Sequence, residues 1–332
     1  MKIFNIFKYL LFNITTIISL NIQNNIYLFK KYSSSNLLNT DLFLYKLDDI
    51  QRTSLLSKLI YDINYPYPIQ NIYKYSNFNL IDINYLNSNK ILFKDQSFFE
   101  KLNKDIFLNN DKYNNIYNNI DIFGYFNYDR IYSLLLVDHT RNQINIIFRG
   151  SNYIDEWINN INIFETKIDF TDNFFIHQGI YHNYKKNEEN MDFILNIIFK
   201  NYPNYKKIFS GHSKGCINSL LTAYKHLLND KNNNKNYYIY LFGNPPIFNY
   251  NIAKELNKNL NIYNIINNND IVCKLPYKYH VGKEIIINNN NINIIEHKNP
   301  YKLDNLCFTK ICDGIIDHDM KCYINNLYSI KK

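Results

Sequence analysis

From residue 121 onward, short apolar runs bounded by turn residues alternate with stretches whose apolar positions recur every three to four residues. Ile122 to Phe126 and Ile131 to Val137 read as strands, with Asn127, Asp129 and Arg130 among the turn residues between them. Gln143 to Phe148 is another strand, ending in Arg149-Gly150-Ser151. Phe193 to Phe199 is an apolar helical patch, and Lys207 to Ser210 is a short strand running into Gly211. Residues 214–228 place apolar side chains at 216, 217, 220, 221, 224, 227 and 228, the spacing of a helix buried on one face. Tyr237 to Phe242 predicts a strand closed by Gly243, Ile252 to Leu260 a helix, and Asn261 to Ile266 a further strand. Strands alternating with helices predict an α/β fold with a largely parallel sheet.

Upstream the pattern is sparser. Residues 51–62 carry Leu55, Leu56, Leu59 and Ile60 at helical spacing, whereas 24–50 read as polar and irregular, and 63–120 as loops with short helices. Runs of Asn at 109–119, 230–236 and 288–293 read as expanded surface loops. At the N-terminus, Lys2 and Lys8 precede an apolar stretch from Tyr9 to Leu20. That stretch is short for a membrane span and suits a signal-peptide core, with an uncleaved anchor and an ordinary buried segment as the alternatives. The expected organisation is a leader at 1–22, an N-terminal extension at 23–120 packed on the core, and a core domain at 121–332.

Composition narrows the partners. The net charge of +8 is spread along the chain with no run of five or more basic residues, which argues against a nucleic-acid binder and stays compatible with an anionic lipid. The five cysteines are an odd number, so at least one is unpaired within the chain. A secretory route permits disulfides, for which Cys307, Cys312 and Cys322 are the candidates. None of the cysteines has metal-site spacing with a nearby histidine pair, so no zinc site is expected.

Chemistry enters at Gly211-His212-Ser213-Lys214-Gly215. This is a G-x-S-x-G pattern set between a short strand and an amphipathic helix. Its glycines permit a sharp turn that presents the serine hydroxyl at the carboxyl end of the sheet, and the helix after the turn favours negative charge at its N-terminus. A serine hydroxyl needs a base to take its proton. In folds carrying this turn the acid and then the histidine come after the serine in the chain. Asp270 fits the acid, on a loop directly after a strand. His318 best fits the base by its late position, with His280 and His297 as the other two in range; His139, His177, His182, His212 and His226 come too early.

At this point the chain resembles the class 3 (fungal triacylglycerol) lipases, of the α/β-hydrolase fold, over about residues 121–325. The resemblance is carried by collinear motifs: Ile147 to Ser151, Asp155 to Ile158, His177 to Ile180, Tyr202-Pro203 through Gly215, Gly243-Asn244-Pro245, Asn269 to Val272 with Leu275-Pro276, His280 to Glu284, and Asp317-His318. Lys214, Cys216 and Cys273 stand where the family often has Leu, Gly and Pro. The resemblance implies a carboxylester hydrolase acting on acylglycerols through Ser213, Asp270 and His318, with no metal or organic cofactor. It implies an oxyanion hole from Ser151 and the N–H of Lys214. It also implies a lid over Asn152, Tyr153, Ile154, Trp157 and Ile158. The expected partner is a lipid ester at a membrane or emulsion interface, and the expected location is secreted or membrane-associated. Two other readings keep the fold: a phospholipase A or lysophospholipase, and an inactive lipid-binding relative.

Overall fold

The structure, a computed structural model, describes residues 40–62, 120–128, 131–151, 165–171, 174–230, 236–275, 278–288, 291–297, 299–301, 303 and 311–330. By their contacts, Met1–Leu44 and Tyr45–Lys332 are separate units, and the sheet and the candidate site belong to the second.

Among the described residues the chain forms helix α1 (Thr40–Asp62), strands β1 (Ile120–Tyr128), β2 (Ile131–Asp138) and β3 (Gln143–Phe148), a small pair β4 (Glu165–Lys167) and β5 (Phe175–His177), and helix α2 (Gln178–Asn201). Then come β6 (Lys206–His212), α3 (Gly215–Asn229), β7 (Tyr237–Phe242), α4 (Tyr250–Asn259), β8 (Asn261–Asn267), β9 (Lys283–Asn288), β10 (Asn291–Ile295), α5 (Ile311–Asp317) and α6 (Met320–Ser329). Eight strands form one sheet in the order β1-β2-β3-β6-β7-β8-β9-β10. The centre, β3 through β9, is parallel, and antiparallel β1-β2 and β10 close the two edges. This is the mostly parallel, helix-flanked sheet of the α/β-hydrolase fold that the sequence predicts.

A parallel sheet with helices on both faces buries both faces of its strands, and β3 is buried at every position. Helix α3 is buried along almost its whole length and crosses over from β6 to β7. Its Cys216, Ile217, Leu220 and Leu221 join Phe209, Tyr237, Ile239 and Leu241 in the main core. Aromatic rings enter this core where Phe209 stacks on Tyr237 with ring centroids 6.0 Å apart.

Two expectations need correction. Helix α1 begins at Thr40, inside the stretch read as irregular, because the completely buried Leu47 and Ile50 extend the stripe of Leu55, Leu56, Leu59 and Ile60 upstream. The Asn run at 288–293, read as a surface loop, includes the end of β9 and the start of the edge strand β10. There Asn291-Ile292-Asn293-Ile294 alternates polar and apolar side chains, the period of a half-exposed strand, and the residues are alternately exposed and half-buried.

Helix α1 is tied to the β2–β3 hairpin by ion pairs. Arg52 meets Asp138 at 2.5 Å with both side chains buried, and Arg141 reaches Asp48 and Asp49. The same Asp138 carboxylate accepts the N–H groups of Thr140 and Arg141 in the hairpin turn. Asp138→Ala is therefore expected to remove a buried ion pair and two hydrogen bonds of the hairpin turn and to destabilise the fold by about 3–5 kcal/mol. Urea unfolding of the two proteins checks it, the expected result being a lower midpoint at unchanged slope.

Candidate active site

Ser213 and Asp270 follow the carboxyl ends of the parallel strands β6 and β8. Ser213 lies between β6 and α3 with φ +56, a left-handed conformation rare for a residue with a side chain. Its neighbours make that conformation possible. A Cβ at Gly211 would stand 2.3 Å from the Gly215 backbone, and one at Gly215 would stand 2.3 Å from the Phe148 carbonyl oxygen. The two glycines thus let strand, turn and helix pack backbone to backbone, and Ser213 N–H donates to the Phe242 carbonyl at 2.9 Å. The contact at Phe148 also brings the end of β3, and with it Arg149-Gly150-Ser151, beside the turn.

The acid comes after β8. Asp270 is completely buried, and its carboxylate accepts from the Val272 N–H at 2.9 Å, the Tyr323 hydroxyl at 2.6 Å, and His318 Nδ1 at 2.8 and 3.0 Å. Burial alone would push its pKa up. The His318 charge, with the His318 and Tyr323 hydrogen bonds, outweighs burial and holds it below the ordinary carboxylate value. Facing a carboxylate, Nδ1 of His318 carries the proton. Its other nitrogen, Nε2, is buried with no hydrogen-bond partner. Ser213 and His318 share the wall of one cleft of about 320 Å³, together with Ser151, Tyr61, Ile315 and Lys58.

The loops carrying acid and base are laced together. Asp317 accepts from the Asn269 N–H at 3.0 Å and the Asn268 amide at 3.1 Å, while its carbonyl accepts from the Asn267 amide at 2.8 Å. Gly314 leaves no room for a side chain, since a Cβ there would sit 2.7 Å from the Asn269 carbonyl oxygen. Gly243, with φ +64, is equally constrained: a Cβ would lie 2.8 Å from both Asp270 Oδ2 and His318 Cε1.

The structure thus brings Ser213, Asp270, His318 and Ser151 to one end of the sheet. Lys214 is half-buried and caps the N-terminus of α3. His280 and His297 are not brought there: His280 bonds Asn264 and the Cys273 carbonyl, and His297 bonds Glu284. The lid residues Asn152, Tyr153, Ile154, Trp157 and Ile158 lie outside the described residues, as do Cys307 and the leader. Sequence reasoning missed Tyr323 and Tyr61, and it named Asp317 and His212 within motifs without giving them a role. Tyr323 and Asp317 sit close to His318 in the chain. Tyr61 carried no signal that sets it apart from the other tyrosines, and His212 was set aside on chain order alone.

Two of the buried histidines are neutral. Burial and the charge of His318 push the His212 pKa down to about 3, and burial, more than any other cause, pushes His280 down to about 4. For a histidine whose folded pKa is depressed, the unfolded chain binds the proton first. Stability is then complete above the unfolded value of about 6.5 and falls as pH drops toward the folded one. Each group is expected to contribute a slope of up to about 1.4 kcal/mol per pH unit between pH 6 and its folded pKa. Urea titrations from pH 7 to 4 should show His280→Gln with a shallower decline than the parent.

Residues 145–280 match the family described as Lipase (class 3). The chain is 26% identical over 142 residues to the secreted mono- and diacylglycerol lipase A of Penicillium cyclopium, covering 43% of this chain and 46% of that protein. It is 27% identical over 154 residues to a lipase of Rhizomucor miehei, covering 45% of this chain and 42% of that one. The matched stretch therefore spans under half the length of either relative. Among solved structures, a fungal lipase–inhibitor complex superposes with a TM-score of 0.62 at 17% identity, over 86% of this chain and 97% of that one. The Rhizomucor miehei triacylglyceride lipase gives 0.55 at 20% identity, over 61% and 81%. At these identities the structural likeness establishes the fold.

Proposed function

We propose that this chain, whose residues 145–280 match the class 3 lipase family, is a serine carboxylester hydrolase acting on acylglycerols at a lipid surface, and that it is secreted. The observation carrying this reading is the pairing of a serine at φ +56 with a histidine in the same cleft. That histidine has one nitrogen held by a buried carboxylate and the other unpartnered. The secreted Penicillium relative supports the location, and among the described residues no helix is long and apolar enough to cross a membrane.

The reaction is a sequence of proton transfers through one imidazole. His318 Nε2 takes the Ser213 hydroxyl proton as Oγ attacks the ester carbonyl. Asp270 keeps Nδ1 protonated, which leaves Nε2 as a lone pair, and stabilises the imidazolium that forms. The oxyanion lies against the N–H groups of Ser151 and Lys214 at the N-terminus of α3, with the Ser151 hydroxyl as a further donor. His318 then protonates the leaving alcohol, and water, activated by the same nitrogen, frees the acid. Ile315 and Ile316, 46% and 63% exposed just before His318, give the cleft an apolar lip suited to a lipid surface. Residues 152–163 serve as the lid.

Hydrolysis of a triglyceride emulsion, phosphatidylcholine vesicles and a short soluble ester should disappear in Ser213→Ala, by roughly a thousandfold or more. Triglyceride should be the preferred substrate. No hydrolysis by folded wild type would overturn the reading, and a preference for phosphatidylcholine would replace it with a phospholipase. Gly243→Ala is expected to drive the Asp270–His318 pair apart and lower kcat on the soluble ester at least about a hundredfold. A variant with wild-type kcat would show that the pair is not needed in this geometry.

A further inference from the structure

His212, the position that Gly-x-Ser-x-Gly leaves open, takes no part in the proton transfers above, yet both of its ring nitrogens are engaged. Nε2 lies 2.8 Å from the backbone carbonyl oxygen of His318, and Nδ1 lies 2.7 Å from the Tyr61 hydroxyl. A carbonyl oxygen only accepts, so Nε2 carries the proton and Nδ1 is a lone pair. The Tyr61 hydroxyl must therefore donate to Nδ1. Its oxygen accepts the Gly150 N–H at 2.9 Å. The result is a chain of hydrogen bonds with one direction: Gly150 N–H to Tyr61, Tyr61 O–H to His212, His212 N–H to the His318 carbonyl. The His212 ring also stacks on the His318 ring, with centroids 4.6 Å apart and planes 30° from parallel.

The chain of bonds joins two segments that are distant in sequence and must face each other in the reaction. One is Arg149-Gly150-Ser151, whose Arg149 guanidinium lies over the rings of Tyr61 and Tyr132, 5.1 and 4.5 Å from their centroids. The other is the backbone that carries the base. Helix α1, which lies outside the stretch matched to the lipase family, supplies the link. We infer that His212 and Tyr61 are positioning residues that set the distance between the oxyanion loop and the base through a proton-ordered bridge. This rests on Ser213, Asp270 and His318 being the catalytic set.

A core-filling role would need only the shape of the imidazole. The bridge needs a donor at one end and an acceptor at the other, and that difference makes it testable. In the full chain, kcat and KM on a soluble p-nitrophenyl ester are compared for wild type, His212→Phe, His212→Gln, Tyr61→Phe and the Tyr61→Phe/His212→Phe double variant, with Ser213→Ala as the control for the nucleophile. His212→Phe should lose at least about tenfold in kcat with KM little changed. His212→Gln, which keeps a donor and an acceptor, should recover most of it. The double variant should be no slower than His212→Phe alone, because the two changes break one bridge. Full kcat in His212→Phe, no rescue by Gln, or additive losses would each overturn the bridge. If His212→Phe does not fold, Tyr61→Phe with wild-type kcat overturns it instead. Nitrogen NMR of histidine-labelled wild type reads the bridge without turnover. A neutral Nε2–H form of His212 at pH 6 supports it, and a neutral Nδ1–H form sinks it. If wild-type hydrolysis were absent or survived in Ser213→Ala, the catalytic reading itself would fall, an outcome distinct from any of these.

Discussion

A single carboxylate sealed from water at the end of a parallel sheet organises the rest of this molecule. An isolated buried charge costs several kcal/mol even after relaxation, and that penalty is offset only when hydrogen bonds and an opposite charge surround it. Asp270 is completely buried, and its three donors come from three places: the Val272 N–H from its own loop, the Tyr323 hydroxyl from α6, and His318 Nδ1 from the turn between α5 and α6. The last two helices are thus bound to the sheet through the carboxylate that holds His318. Their other bonds, from Asp317 to Asn268 and Asn269 and from Asn326 to Asn267, fix the same two loops against each other. Gly243 completes the enclosure by having no side chain to intrude.

On the serine side the constraint is steric. A side chain on Gly211 would collide with the backbone of Gly215, and one on Gly215 with the carbonyl of Phe148, so the strand, the turn and the helix are locked as one unit. Because Gly215 touches the carbonyl of Phe148, the motif that strains Ser213 also docks the end of β3. The oxyanion candidate Ser151 lies three residues beyond that contact. One pentapeptide accordingly sets both the nucleophile and the partner expected to stabilise the charge it creates.

The parts of this arrangement that sequence could reveal are those built from backbone requirements. A glycine pair around a serine, a strand before and a helix after it, and an acid on the loop closing a later strand all leave marks at fixed spacing. The parallel sheet was readable because its strands are buried on both faces and so are mostly apolar, as in Tyr237–Phe242. Side chains that act by position in space leave no such mark. Among 31 tyrosines nothing sets Tyr61 or Tyr323 apart, since each is one more aromatic residue on a helix. Helix α1 was only half seen because Asp48, Asp49 and Arg52 break its apolar stripe with charges. Those charges turned out to be paired with Arg141 and Asp138 on the neighbouring hairpin. Strand β10 was hidden by composition, its alternation concealed within a run of asparagine.

Three of the buried histidines, His212, His280 and His318, show how one residue type is assigned different work by its partners. His212 and His280 each direct Nε2 at a main-chain carbonyl and receive a donor at Nδ1, from the Tyr61 hydroxyl and the Asn264 amide respectively. With one nitrogen obliged to donate and the other obliged to accept, a second proton has nowhere to go, and both groups are held neutral. His318 faces a carboxylate at Nδ1 and nothing at Nε2. A proton arriving at Nε2 displaces no hydrogen bond and gains the attraction of Asp270. Of these three rings, only His318 has both a counter-charge and a nitrogen with no partner among the described residues, and that asymmetry, more than its place in the chain, supports the proposal that it is the base.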